Sequence, residues 1–230
     1  MFDCIVVGAG PAGGTVAYHL AKRGVSVLIL EKESLPRYKP CGGGVSPQVA
    51  QWFDFDFSPA ISLKVDTIRY TWQMGDPVQA QLESEPVWMV RRDVFDQFLV
   101  QQAQGQGAEL RDRTAVTGIQ FLGDHWQVET AAGPVLGRYV VGADGAKGTM
   151  AKWLGFKERK RRFAGALEAE AAATVSEAHI AHFEFGMVKN WLHLELPQSR
   201  WLLHWHWHLS RRRASGLQRH SQRVRHPVWH

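Results

Sequence analysis

Residues 3–31 run DCIVVGAGPAGGTVAYHLAKRGVSVLILE. Cys4 to Val7 form a continuous apolar run that glycine ends, the pattern of a short buried strand. Gly8-Ala9-Gly10-Pro11-Ala12-Gly13 follows and fits G-x-G-x-x-G. Gly8 allows the sharp turn, Gly10 lets backbone approach a pyrophosphate, and Gly13 removes a side chain where helix meets sheet. Gly14 to Ala21 then predict a helix whose small residues permit close packing. Its leading N–H groups and dipole favour a phosphate without needing a lysine. Lys22-Arg23-Gly24 closes the helix, and Val25 to Leu30 predict a second strand that ends at Glu31. A carboxylate there, about 20 residues beyond the glycines, suits a ribose hydroxyl and repels a phosphorylated ribose. The unit therefore predicts FAD or NAD in preference to NADP.

With 230 residues, 45% hydrophobic and 21% charged, the chain has the make-up of a globular protein with one large domain or two small ones. Two cysteines, Cys4 and Cys41, imply no disulfide framework and fit a reducing, cytoplasmic compartment. Neither an export leader nor an apolar run of membrane-spanning length is read, so a soluble or peripheral protein is expected. The net charge of +5 is unevenly spread. Residues 191–230 hold seven arginines, no lysine and the single acid Glu195, or +6, leaving −1 for residues 1–190.

Beyond Glu31, Leu35-Pro36-Arg37-Tyr38-Lys39-Pro40-Cys41-Gly42-Gly43-Gly44 is an unusual stretch. Consecutive glycines let backbone lie flat against a planar ring, and Arg37 and Lys39 suit a phosphate or anionic substrate. Together with the glycine turn, this segment resembles the P-x-x-Y-x-x-C-G-G-G stretch of the geranylgeranyl reductase family of flavoproteins. Arg92-Asp93-Val94-Phe95-Asp96-Gln97-Phe98-Leu99 resembles the R-x-x-F-D-x-x-L helix start of related FAD enzymes. On spacing alone, Phe95, Phe98, Leu99 and Gln102 face a core and Arg91 or Arg92 is solvated. Tyr139 to Ala146 resembles the family's second FAD segment, a strand leading into a G-A-D-G turn. Gly148 stands where the family has serine, and Ala151 where it has a basic residue.

The resemblance implies a p-hydroxybenzoate-hydroxylase-like α/β fold. A Rossmann-like FAD-binding domain, with a parallel sheet, helices and a β-hairpin layer, is expected from residues 1–60 and 90–155. The start of a mixed β-sheet substrate domain is expected from 61–89 and 156–190. It further implies reduction of C=C bonds of a geranylgeranyl group, with FAD as cofactor and NADPH or another reductant as electron donor. The isoprenoid substrate would bring peripheral membrane contact. The implied cofactor residues are Gly8, Gly10, Pro11, Ala12, Gly13, Glu31, Lys32, Arg37, Cys41, Gly42, Gly43, Arg92, Asp144 and Gly145. Cys41 is nominated near the reaction, with a structural role as the alternative. An FAD-dependent aromatic monooxygenase of the same fold is the rival among enzymes.

Between these segments, Val65 to Trp72 and Val78 to Leu82 alternate as strands, and Thr117 to Thr130 reads as a hairpin turning at Gly123-Asp124. Trp52, Trp72 and Trp88 could line an isoprenoid pocket, but aromatics in such patterns are more often core.

The tail reads differently. His204-Trp205-His206-Trp207-His208 would put three histidines on one strand face, as in a metal site, and the arginines could meet nucleic acid. A simpler account starts from the single tryptophan codon. One reverse translation of Trp191 to Leu209, read one base later, gives G-Y-T-W-N-F-P-K-A-D-G-Y-S-I-G-I-G-T, which resembles the reductase family at this point. A frameshift near Asn190 is therefore expected, with residues 191–230 non-native and their histidines and arginines without a role. No metal site and no nucleic-acid partner are expected.

Overall fold

The computed structural model describes residues 1–156, 165–172, 176–187, 191–198 and 201–208. The chain starts with β1 (Phe2–Val7), α1 (Pro11–Ala21) and β2 (Val27–Leu30). Short strands β3 (Gly44–Val45), β4 (Leu63–Val65), β5 (Thr67–Trp72), β6 (Gly75–Gln81) and β7 (Val87–Met89) precede α2 (Arg92–Gly105). Then come β8 (Glu109–Arg111), β9 (Val116–Phe121), β10 (Trp126–Thr130), β11 (Val135–Gly142) and α3 (Met150–Trp153). Four more strands are described, β12 (Gly165–Ala172), β13 (Ile180–Phe185), β14 (Trp191–Gln198) and β15 (Trp201–His208).

The first sheet has the order β8-β2-β1-β11-β10-β9, with β8, β2, β1 and β11 parallel and the β9–β10 hairpin added antiparallel. β2 is buried along its whole length and β1 over its last four residues, as central strands covered on both faces must be. This explains why their sequences are apolar runs and not alternations. α1 covers one face and packs on α2 so closely that a Cβ at Gly14 would lie 2.9 Å from Leu99 Cβ. Gly24, at φ +77°, ends α1 as its sequence predicts, and the hairpin turns at Gly123, φ +103°.

The second sheet has the order β12-β15-β14-β13-β5-β6, and the third is the small β3-β7-β4. Val65 to Trp72 is not one strand as its alternation predicts. At Asp66, whose N–H bonds His179 O at 3.1 Å, the chain passes from the third sheet to the second. Alternation is kept on both sides of that crossing, so sequence pattern alone cannot register it. Ala181 of the second sheet packs with Val65 and Met89 of the third, joined by Phe183 and Leu196.

The tryptophans divide. Trp88 is buried against Phe57, at 5.3 Å between rings, whereas Trp52 and Trp72 are 62% and 59% exposed. The core reading therefore holds for Trp88 and is corrected for the other two. Trp52 ends a six-residue 3-10 helical segment with no buried residue, and Trp72 lies at the tip of the β5–β6 hairpin. Gln102 is half-buried, while Phe95 and Leu99 are buried as expected.

Candidate functional site

β1, the glycine turn and α1 bring the fingerprint together with segments far away in sequence. Gly8 takes φ +108°, and a Cβ there would meet Ala143 O at 2.4 Å. The turn is thus pressed against the end of β11, where Ala143 N–H donates to Val7 O at 2.8 Å. A Cβ on Gly13 would lie 1.8 Å from Gly8 O, so this glycine closes the turn on itself. At Gly10 the situation is opposite. The nearest atoms to a Cβ there are Nη2 of Arg37 and Nη2 of Arg92, each 3.8 Å away. No side chain caps α1, which leaves its first N–H groups for a ligand.

Glu31 is buried at 4% exposure at the end of β2. Its Oε2 accepts from Ala9 N–H at 2.9 Å and faces Arg37 Nη2 at 3.4 Å, while Oε1 accepts from Glu33 N–H at 3.1 Å. The carboxylate that the fingerprint reserves for a ribose therefore also ties the glycine turn to the 31–37 segment. Arg37 Nη1 donates to Asp96 Oδ2 at 2.9 Å, and Arg92 donates from Nε and Nη2 to Asp96 at 2.7 and 3.0 Å. Burial works against the charge of Arg92. Asp96, with a smaller contribution from Cys41, outweighs that and holds the guanidinium above its ordinary value. Arg92 is consequently not the solvated residue that spacing alone predicts.

Beside this cluster lies a cavity of about 210 Å³. Pro11 and Thr15 of α1, Cys41, Gly43, Arg92, Phe53, Phe57, Phe95 and Leu99 are among the residues that line it, and the lining is mainly apolar. It is smaller than the ~300–1,000 Å³ pockets that enclose whole ligands, so it suits one end of a dinucleotide. Gly43 takes φ +74° and its carbonyl accepts from Val90 N–H at 2.9 Å. A Cβ on Gly42 would meet Leu196 Cδ1 at 2.8 Å. The Cys41–Gly43 segment thus runs between the cavity and the second sheet.

Other predicted residues fall differently. Ala12 is exposed on the first turn of α1. The Lys32 side chain is 72% exposed and lies 3.9 Å from Glu33. Lys32→Ala is expected to leave FAD affinity within about twofold, since exposed pairs contribute little; a flavin fluorescence titration checks it. Asp144 turns inward, accepting from Met150 N–H at 2.9 Å at the start of α3. A Cβ on Gly148 would lie 2.0 Å from Asp144 Cγ, so the glycine that replaces the family's serine is what admits this carboxylate. Gly145, at φ +79°, faces open space.

Thr15 was not among the residues singled out from sequence, and Asp96 entered only as the acid of the R-x-x-F-D-x-x-L resemblance, without a role of its own. The available signal for Asp96 was an acid on the buried stripe of α2, between Phe95 and Leu99 and one turn from Arg92. Among the described residues, no group of His, Cys, Asp and Glu could hold a metal ion. The side chains of His204, His206 and His208 lie outside the described residues, as do residues 209–230.

The fold and site define a Rossmann-type dinucleotide-binding protein whose glycine turn is flanked by two arginines that share Asp96. The chain belongs to the FAD-binding domain family, whose model matches residues 1–225. FAD fits the residues present: an open approach at Gly10, guanidiniums beside it, a buried acid at β2 and a cavity at the adjoining segment. An uncharacterized protein of Methanosarcina barkeri is 32% identical over 82% of this chain and 49% of its own length. Digeranylgeranylglycerophospholipid reductase 1 of Methanothermobacter thermautotrophicus is 30% identical over 69% of this chain and 43% of its own length. The chain spans less than half the length of these curated relatives. Among solved structures, a geranylgeranyl bacteriochlorophyll reductase-like protein of Thermoplasma acidophilum superposes with a TM-score of 0.77 at 23% identity. That likeness covers 90% of this chain and 56% of the other, and is one of fold. No helix among the described residues is long and apolar enough to cross a membrane.

Proposed function

We propose that this chain is the FAD-binding part of a reductase acting on C=C bonds of an isoprenoid of the geranylgeranyl class. The observation that carries the reading is the placement of Cys41–Gly43, with the cavity and Arg92 on one side and, on the other, position 196 of the second sheet, which is apolar in either frame, leucine here and phenylalanine in the shifted one. Such a segment can separate a polar cofactor groove from an apolar chain. The reductase named among the relatives supports the substrate class.

Flavin supplies hydride transfer to a double bond in this chemistry, with NADPH or another reductant as the electron source. The protein's own tasks are binding and exclusion of water. Gly10 and the α1 N-terminus would take the pyrophosphate with Arg37 and Arg92 beside it, and Glu31 would take the ribose. Phe183, partly buried at the border of the apolar contact between the second and third sheets, would neighbour the isoprenoid. Cys41 stands at the junction, where it would touch reacting atoms or support the segment. A cytoplasmic location with peripheral membrane contact through the lipid substrate goes with this reading.

The purified chain should quench flavin fluorescence on titration with FAD, and a frame-restored, full-length version should, with reductant and geranylgeranyl diphosphate, give a product heavier by added hydrogen. Absence of FAD binding would sink the flavin reading for this chain. Hydroxylation of an aromatic substrate in place of alkene reduction would favour the monooxygenase alternative.

The frameshift near Asn190 belongs to the same proposal. The shifted reading puts A-D-G across positions 199–201, between Gln198 at the end of β14 and the start of β15, and Asp-Gly favours a turn. It also keeps the alternation of β14, with T and N where His193 and Glu195 stand and W and F where Leu194 and Leu196 stand. Either frame can therefore form the hairpin. The coding DNA across codons 191–209 tests this, and a family-like segment missing from the other frames would dismiss it.

A further inference from the structure

We infer that Asp96 is a positioning residue of the dinucleotide site, the shared anion that aims Arg37 and Arg92 at the backbone of Gly10. The inference rests on the FAD-binding reading. The Asp96 side chain is fully buried in α2, between the buried Phe95 and Leu99. A carboxylate is costly there unless its charge is met. Both oxygens are used, Oδ1 by Arg92 Nε and Oδ2 by Arg92 Nη2 and Arg37 Nη1. Arg92 comes from the same helix one turn earlier, and Arg37 from a segment 59 residues away. Two guanidiniums repel each other, and the anion behind them holds them together. Nη2 of each, which on Arg92 also bonds Asp96 and on Arg37 also faces Glu31, then flanks Gly10 at an equal distance of 3.8 Å from a Cβ position. Glu31 steadies the far edge of Arg37 at 3.4 Å.

The sign of the effect separates positioning from simple charge. An acid near a pyrophosphate repels it, so by Coulomb's law alone Asp96→Asn would tighten FAD binding. Positioning predicts the reverse, because asparagine gives up the charge-assisted bonds that fix both forks. FAD affinity should fall at least about tenfold, the loss of one or two such bonds. Arg92→Lys keeps the charge and loses the planar fork, and should weaken FAD to a similar extent.

The experiment is a flavin fluorescence titration of the parent, both variants and an Arg37→Met/Arg92→Met background, with thermal melts of each without FAD. In that background no guanidinium remains to be aimed. Adding Asp96→Asn there should leave the residual affinity unchanged or tighten it as the repulsion is removed, and should raise the melting temperature, since a buried carboxylate without a cation is removed. Parental or tighter FAD binding by Asp96→Asn overturns the inference, and so does parental binding by Arg92→Lys or a further loss of affinity in the double-Met background. If Asp96→Asn does not fold, the latter two comparisons decide. A parent chain that binds no FAD takes down the FAD reading and this inference together, whereas a binding parent with an indifferent Asp96→Asn overturns the inference alone.

Discussion

Gly13→Ala is expected to weaken FAD binding by at least about a hundredfold and to lower stability by about 3 kcal/mol, the upper range for overpacking. The added Cβ would stand 1.8 Å from the carbonyl oxygen of Gly8, a backbone atom that no rotamer can move aside. Gly8 cannot retreat either. Its N–H is bonded to Leu30 O at 2.8 Å, and the position of its own Cβ is closed by Ala143 O at 2.4 Å. The turn must therefore open, and with it the approach of Gly10 to the pyrophosphate. Fluorescence titration with FAD and thermal unfolding read the two effects, and parental values in both would refute the account. Gly105→Ala is the control of opposite sign. It ends α2 with nothing within 4 Å of a Cβ, so alanine should stabilise by roughly 0.4–1 kcal/mol through the unfolded chain.

Phe57→Ala is the second large effect. The side chain is 2% exposed and its ring lies 4.8 Å from Phe55, 5.2 Å from Phe53, 5.3 Å from Trp88 and 6.0 Å from both Phe95 and Phe98. Truncation should cost about 3–5 kcal/mol from lost transfer energy and the void left behind. Because Phe57 also lines the site cavity, the void would enlarge it. Urea unfolding should show a lower midpoint with an unchanged slope. Trp52→Ala, at a larger but 62% exposed ring, should stay within about 0.5 kcal/mol. Equal losses for the two would contradict the burial pattern.

The aromatic run Phe53-Asp54-Phe55-Asp56-Phe57 illustrates what pattern reading misses. Its spacing of two resembles a strand, yet the structure places it between two short helical segments, with all three rings turned into one cluster. The local signal was a periodicity. The deciding quantity was the space between α1 and α2, filled by Tyr18, Phe95 and Phe98. The same holds for the break at Asp66, where alternation continues while the chain changes sheets.

Residues 3–31 by themselves determined the strand, turn, helix and strand of the dinucleotide unit. The demands there are local: glycine where φ is positive or backbone approaches closely, an apolar run where a strand is covered on both faces, and an acid at the end of β2. The same locality made the turn after β11 legible from Tyr139 to Gly145. Only the tertiary structure decided that Arg37 and Arg92, and not Lys32, stand at Gly10, that Asp96 binds both, and that Cys41–Gly43 lies between cavity and second sheet. Arg37 and Asp96 meet across 59 residues of sequence. Such a contact depends on how α2 packs against α1 and how the chain after β2 is drawn over them, which spacing along a strand or helix does not encode.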